Sequence, residues 1–281
     1  LQGLFTATPQ EGWEAGPHGG GIRTDEGNPT LVNNVETLCN VPHILTRGAE
    51  WFRTLGTPDS PGTIVCTVIG DVRSPGVGEV ELGTPLGAVI DAVGGGPLEG
   101  RSVKAVFSGV ANPVVVGGDL DVPVSYEGFQ AVGSGMGAAG FIVYDDTTCM
   151  VDTAYRLSRF LYIESCGQCP PCKLGSGEIT KHLERIETGS GSDDDIDGIA
   201  QWLRQVTDGS RCYLATEEQV MVSSILRAFP EEFVTHIEQQ SCPRPRTLPI
   251  PKLVELTDDG ALYDETIWRK RPDWTYEPEP D

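Results

Sequence analysis

The spacing of hydrophobic positions changes twice along the chain. Over residues 63–69, apolar and β-branched side chains (Ile64, Val65, Val68, Ile69) dominate, which predicts a buried strand. Ser74-Pro75-Gly76 reads as a turn, and residues 78–82 alternate like a second strand. Thr84 then offers an N-cap and Pro85 suits the first helical position. Leu86, Val89, Ile90 and Val93 recur on one helix face until Gly94-Gly95-Gly96 ends it. Residues 103–107 and 141–144 supply further strands. The order β-β-α-β-β within about 90 residues predicts a small ubiquitin-like, β-grasp domain.

From Met150 the period becomes helical. Met150, Ala154, Leu157 and Leu161 form one stripe, and Ile179, Leu183 and Ile186 a second. Ile196, Ile199, Leu203 and Val206 form a third, opened by Asp193-Asp194-Asp195, an acidic first turn that suits the helix dipole. Val222, Ile225, Leu226 and Phe229 form a fourth, extended past Pro230 by Phe233 and Ile237. Short Gly/Ser connections between amphipathic helices predict a four-helix bundle, so the fold class is α+β. This places a β-grasp domain at 61–149, a helical domain at 150–240 and a proline-rich extended tail at 241–281. Residues 1–30 read as Gly- and Pro-rich loop, and 32–55 as helix interrupted near Pro42 and Gly48. Residues 1–60 contain no strands to pack against and so no complete domain. Leu1 in place of Met fits a sequence that begins inside a longer polypeptide.

Composition narrows the classes. Lys and Arg number 20 against 41 Asp and Glu, a net charge of −21 that repels phosphate backbones and argues against a nucleic-acid partner. No stretch reaches the ~18–20 apolar residues of a membrane span, and residues 1–20 lack the basic and apolar regions of a signal peptide. The expectation is a cytoplasmic protein without direct membrane insertion, which could still sit at the periphery of a membrane complex.

Three of the eight cysteines fall within seven residues, a clustering that in a cytosolic chain points to metal before disulfides. Residues 164–178 contain Cys166-Gly167-Gln168-Cys169-Pro170-Pro171-Cys172, a C-x2-C-x2-C core. Three thiolates so spaced, on a loop entering a helix, can converge on one face of a [4Fe–4S] cube that needs four ligands. Nearby backbone N–H groups and a helix N-terminus suit its negative charge, and Gly167 and Gly175 permit close backbone approach. Cys212 follows after 39 residues that encode a helical hairpin, which returns the chain to its starting end. Cys242-Pro243 is the rival fourth ligand, placed beyond the fourth helix. A structural zinc site on the same cysteines is the alternative chemistry.

Other signals are weaker. Gly135-Met136-Gly137-Ala138-Ala139-Gly140 spells GxGxxG, but it precedes a strand instead of following one and reads as a tight turn. Cys39, Cys66 and Cys149 sit among apolar residues and read as buried free thiols. His182 and His236 read as solvated helix-surface residues.

Several runs together resemble one family. Glu164-Ser165-Cys166-Gly167-Gln168-Cys169-Pro170-Pro171-Cys172, Cys212, and Thr148-Cys149-Met150-Val151-Asp152 are similar to the flavin-carrying subunit of respiratory NADH dehydrogenase and of related NAD-linked hydrogenases and formate dehydrogenases. Pro29-Thr30-Leu31-Val32-Asn33-Asn34-Val35-Glu36-Thr37-Leu38 resembles that family's flavin-edge motif, continued by Gly48-Ala49-Glu50-Trp51-Phe52. The resemblance covers residues 28–238. It implies a flavin domain, then an SLBB-type β-grasp domain, then a four-helix iron–sulfur domain. NADH would give hydride to FMN, and the cluster would take electrons from FMN singly. It also implies that Asn33, Asn34 and Thr37 line the FMN site and that Cys166, Cys169, Cys172 and Cys212 bind the cluster. Only 32 residues precede Asn33, and none spells the family's glycine-rich flavin and NADH loops. Residues 1–60 then read as an edge of the flavin domain plus linker, with FMN and NADH depending on a flavin half that is missing here, lost, or on another chain.

Two functions follow. One is an electron-transfer subunit of an NAD(P)H-linked oxidoreductase, working beside other redox subunits of ferredoxin-like or thioredoxin-like iron–sulfur type. The other is a non-redox scaffold or binding module whose metal, zinc, staples the helices.

Overall fold

A computed structural model describes residues 33–244, 252–257, 260–264 and 270–272. The chain divides into two units at Ala49 and Glu50. In the first, helix α1 (Val35–Arg47) is capped by Asn34, whose side chain accepts the Thr37 N–H at 3.0 Å. Pro42 does not interrupt it; the helix forgoes one backbone bond there and ends only at Gly48, φ +89°. A single turn, α2 (Ala49–Phe52), straddles the boundary between the units.

The second unit is built on a five-stranded sheet of order β2-β1-β5-β3-β4. Its strands are β1 (Thr63–Gly70), β2 (Gly76–Glu81), β3 (Val103–Ser108), β4 (Val115–Val116) and β5 (Gly140–Asp145). β1 runs antiparallel to β2 and parallel to β5, with Val68 opposite Phe141. Helix α3 (Leu86–Gly94) packs Leu86, Val89 and Ile90 against Cys66 and Val68 of β1 and Phe141 and Val143 of β5. The expected N-cap at Thr84 is not used: its hydroxyl donates to the Glu81 carbonyl at 2.7 Å and Pro85 takes the cap position. β4 and a short helix α4 (Tyr126–Ala131) were not legible in the hydrophobic pattern, being only two and six residues long.

The central strands are buried on both faces. Val106, Phe141 and Val143 point toward α3, while Ala105, Phe107 and Tyr144 point to the other side. That second face packs into the core of five helices: α5 (Met150–Glu164), α6 (Pro170–Glu187), α7 (Asp193–Gln205), α8 (Leu214–Ala228) and α9 (Pro230–Gln239). Leu157, Leu161, Ile179, Leu183, Ile199, Val222 and Ile225 fill it. Each such side chain contributes about 1.5–3 kcal/mol on burial. The fourth stripe is therefore carried by two helices: Pro230 lacks the N–H to continue α8 and opens α9 instead. Downstream, β6 (Lys252–Thr257) and β7 (Gly260–Asp264) form an antiparallel hairpin where the proline pattern predicts an extended tail.

Candidate metal centre

α5 and α6 are consecutive, packed helices, and the C-x2-C-x2-C triplet spans the link between them and the first turn of α6. Ser165 caps the end of α5 in an extended conformation, and Gly167 turns the chain with φ +72°. Cys169 is the N-cap of α6, with Pro170 and Pro171 in its first turn, where missing N–H groups cost nothing. Cys172 lies one turn into that helix. The triplet thus wraps a helix N-terminus, where the positive end of the dipole favours anionic sulfur. The Val206 side chain lies 3.0 Å from where a Cβ on Gly175 would sit, so glycine lets the link from α7 draw close to α6.

The four predicted ligands differ in exposure. Cys172 is buried, Cys169 half-buried, and Cys166 and Cys212 exposed. Burial pushes the Cys172 thiol up, the Ser165 hydroxyl opposes this, and the charges of Cys212, Cys169 and Cys166 raise it further. Cys212 lies in the link between α7 and α8, after the packed hairpin that α6 and α7 form. Ser165 Oγ stands 3.6 Å from the Cys172 sulfur, and Ser176 Oγ donates to the Cys172 carbonyl at 2.7 Å. Four thiols on three loop or helix-start segments, with one helix N-terminus among them, fit the donor set of an iron–sulfur cube.

Behind this site lies a hydroxyl network that no spacing along the chain foretells. Glu218 on α8 is fully buried and accepts from Ser158 at 2.6 Å. Ser158 also pairs with Thr180 at 2.9 Å, which donates to the Ser176 carbonyl. The other Glu218 oxygen has no partner among the described residues. Burial pushes its carboxyl up to about 8, so it holds a proton at neutral pH.

Asn33, Asn34 and Thr37, the predicted flavin-edge residues, are all exposed at the start of α1. Asn34 serves as the helix cap, and Asn33 Oδ1 accepts the Asn34 N–H at 2.7 Å. The GxGxxG run is the turn that enters β5, with Gly135 and Gly137 against Asn112.

Three expectations are corrected. Cys39 is exposed, not buried. His182 is not solvated: its Nδ1 meets Asp195 at 2.8 Å and its ring covers Gly198. His236 is buried with Cys149, Glu187 and Cys242 around it, so neither it nor Cys149 is an isolated residue. The signal available was position: His236 sits three residues after Phe233, on the apolar face of α9. Cys242, the rival cluster ligand, lies in that group, with Cys149 at the start of α5 and Glu187 at the end of α6. The triplet lies at the other end of both helices.

Residues 152–236 match the NADH-ubiquinone oxidoreductase-F iron–sulfur binding region, and residues 65–108 match the SLBB domain. The chain is 42% identical over 217 residues to an F-type NADH-quinone oxidoreductase subunit of Rhizobium meliloti, covering 77% of this chain and 52% of that one. It is 37% identical over 216 residues to the HndC subunit of the NADP-reducing hydrogenase of Solidesulfovibrio fructosivorans, covering 76% and 44% respectively. A crystal structure of NAD+-reducing [NiFe]-hydrogenase in the H2-reduced state superimposes with a TM-score of 0.66 at 33% identity, over 78% of this chain and 36% of that chain. The chain thus spans about half the length, or less, of these relatives. No helix among the described residues is long and apolar enough to cross a membrane.

Proposed function

Because the chain carries an SLBB domain and an iron–sulfur binding region of the NADH-ubiquinone oxidoreductase-F type, we propose that it is an electron-transfer component of an NAD(P)H-linked oxidoreductase. In this reading Cys166, Cys169, Cys172 and Cys212 hold one [4Fe–4S] cluster. The observation that carries it is the C-x2-C-x2-C triplet wrapping the start of α6, with Cys212 beyond the α6–α7 hairpin, all within the matched region. A bound cluster supplies a one-electron carrier at this site. The chain's own residues position and tune it. Gly167 and the start of α6 shape the ligand loop, Ser165 offers a hydroxyl to the most buried sulfur, and Pro170 and Pro171 withhold two N–H donors from it. Exposure of Cys166 and Cys212 leaves that face open to a redox partner.

The domain reading is that residues 1–60 form an edge of a flavin domain and linker, 61–149 the SLBB domain, 150–240 the iron–sulfur domain and 241–281 a tail. α5 to α8 would form its four-helix part, with α9 as an added fifth helix. Asn33, Asn34 and Thr37 would border FMN supplied with a flavin domain, where NADH would be oxidised. The partners would be further iron–sulfur subunits of a cytoplasmic or membrane-peripheral complex.

The test is spectroscopic. The purified chain should be brown, bleach with dithionite and give a low-temperature EPR signal. A colourless protein with zinc on these four cysteines would replace this reading with a structural one.

A further inference from the structure

At the ends of α5 and α6 remote from the triplet, four ligand atoms converge: Cys149 Sγ, Glu187 Oε2, His236 Nε2 and Cys242 Sγ. All lie within 4.8 Å of one another. Cys149 is the N-cap of α5, Glu187 the last residue of α6, His236 lies on α9, and Cys242 just beyond it. Cys149 and His236 are each 1% exposed.

The distances match the edges of a metal tetrahedron. With metal–sulfur bonds of ~2.3 Å and metal–nitrogen or metal–oxygen bonds of ~2.0 Å, ligand atoms stand about 3.6 Å apart for S···N or S···O and about 3.3 Å for N···O. Here Cys149 Sγ is 3.3 Å from His236 Nε2 and 3.8 Å from Glu187 Oε2, and those two are 3.2 Å apart. The orientation also fits. His236 Nδ1 donates to the Glu232 carbonyl at 2.7 Å, which aims Nε2 at the other three atoms. A Cys–His–Glu catalytic relay would place the thiol and the carboxylate on opposite ring nitrogens. Here both face Nε2, whose one hydrogen or lone pair cannot serve both.

Burial pushes both the Cys149 and the Cys242 thiol up, and a bound metal would displace their protons. The Asp152 N–H donates to Cys149 Sγ at 3.4 Å, at the positive end of α5, which opposes that rise. Among the described residues, the nearby cations Lys104 and Arg244 pair with Glu232. A cation among the ligands would balance the two sulfurs and the carboxylate.

We propose that Cys149, Glu187, His236 and Cys242 bind one zinc ion, separate from the iron–sulfur site. Two thiolates and an imidazole exclude the hard cations calcium and magnesium and suit zinc. Four protein ligands leave no open position, so the role is structural. α5 has 15 residues, about 22 Å of helix, and this separates the zinc from the triplet. The ion would clamp α9 and the chain following it onto the ends of α5 and α6.

The test is metal analysis of the full chain, purified without a histidine tag and expressed with added iron and zinc. About one zinc per chain is expected beside the iron. Cys149→Ser, His236→Gln and Cys242→Ser should each lose zinc while keeping iron and visible colour. Cys212→Ala should do the reverse. Cobalt substituted for zinc should give intense visible bands of a tetrahedral thiolate site, absent in Cys242→Ser. Should a core variant fail to fold, Cys242→Ser tests the same site from outside the helices. Iron without zinc in the wild type, zinc retained by the Cys149→Ser/Cys242→Ser double variant, or a Cys149–Cys242 disulfide by mass spectrometry would each overturn the assignment.

Discussion

The two ends of the α5–α6 helix pair carry cysteines in opposite ways. At one end, three sit in a short link rich in Gly and Pro, and two of the four candidate ligands are exposed. At the other, ligand atoms from four separate segments meet, Cys149 and His236 buried and Glu187 and Cys242 half-buried. The first arrangement is local, so its spacing is written along the chain. The second exists only after the helices pack, so no spacing announces it. An open sulfur site suits exchange of electrons with a partner, and a closed one suits holding chain segments together.

The largest expected effect separates the ends by metal. Cys172→Ala, the most buried of the four candidate cluster ligands, should reduce bound iron from about four per chain to almost none and lower the melting temperature, since metal binding is coupled to folding. Zinc content should stay unchanged; its loss would show that the ends are not independent. Leu157→Ala, in the core between them, should cost about 2–5 kcal/mol in denaturant unfolding and weaken retention of both metals.

Glu218 sharpens the contrast, because it lies behind the candidate cluster and is held protonated. Its carboxyl pKa is raised from an ordinary 4.5 to about 8 in the fold. The native state therefore binds the extra proton between these values, and stability falls as pH rises from about 4.5 to about 8. Glu218→Gln should abolish that slope and be more stable than wild type at pH 8, by about 1–3 kcal/mol in urea melts. An unchanged slope would show that another group titrates. The smallest effect is expected from Asn34→Ala, which removes the α1 cap. It should cost about 1 kcal/mol of helix stability by circular dichroism and leave both metals in place.

What was legible in the sequence follows the same division. The strand at 63–69, the α3 face of Leu86, Val89 and Ile90, and the stripes through Leu157, Leu183 and Ile199 all obey a fixed period, and the structure places them there. Cys166, Cys169 and Cys172 stand out as a spacing, and Cys212 is proposed from hairpin geometry. Cys149, Glu187, His236 and Cys242 were not, because 93 positions separate the first from the last. Glu218 was hidden as well: on a helical wheel a lone acid predicts solvent, and only the serine and threonine hydroxyls of α5 and α6 make its burial tolerable.

The sheet whose middle strands are covered on both sides has a practical outcome for anyone dissecting this protein. A fragment ending at Asp145 would leave Ala105, Phe107 and Tyr144 facing water, an oily panel across the back of β3 and β5. Such a fragment should self-associate on expression, and the helices freed of their wall should fare no better. The two halves must be handled as one piece.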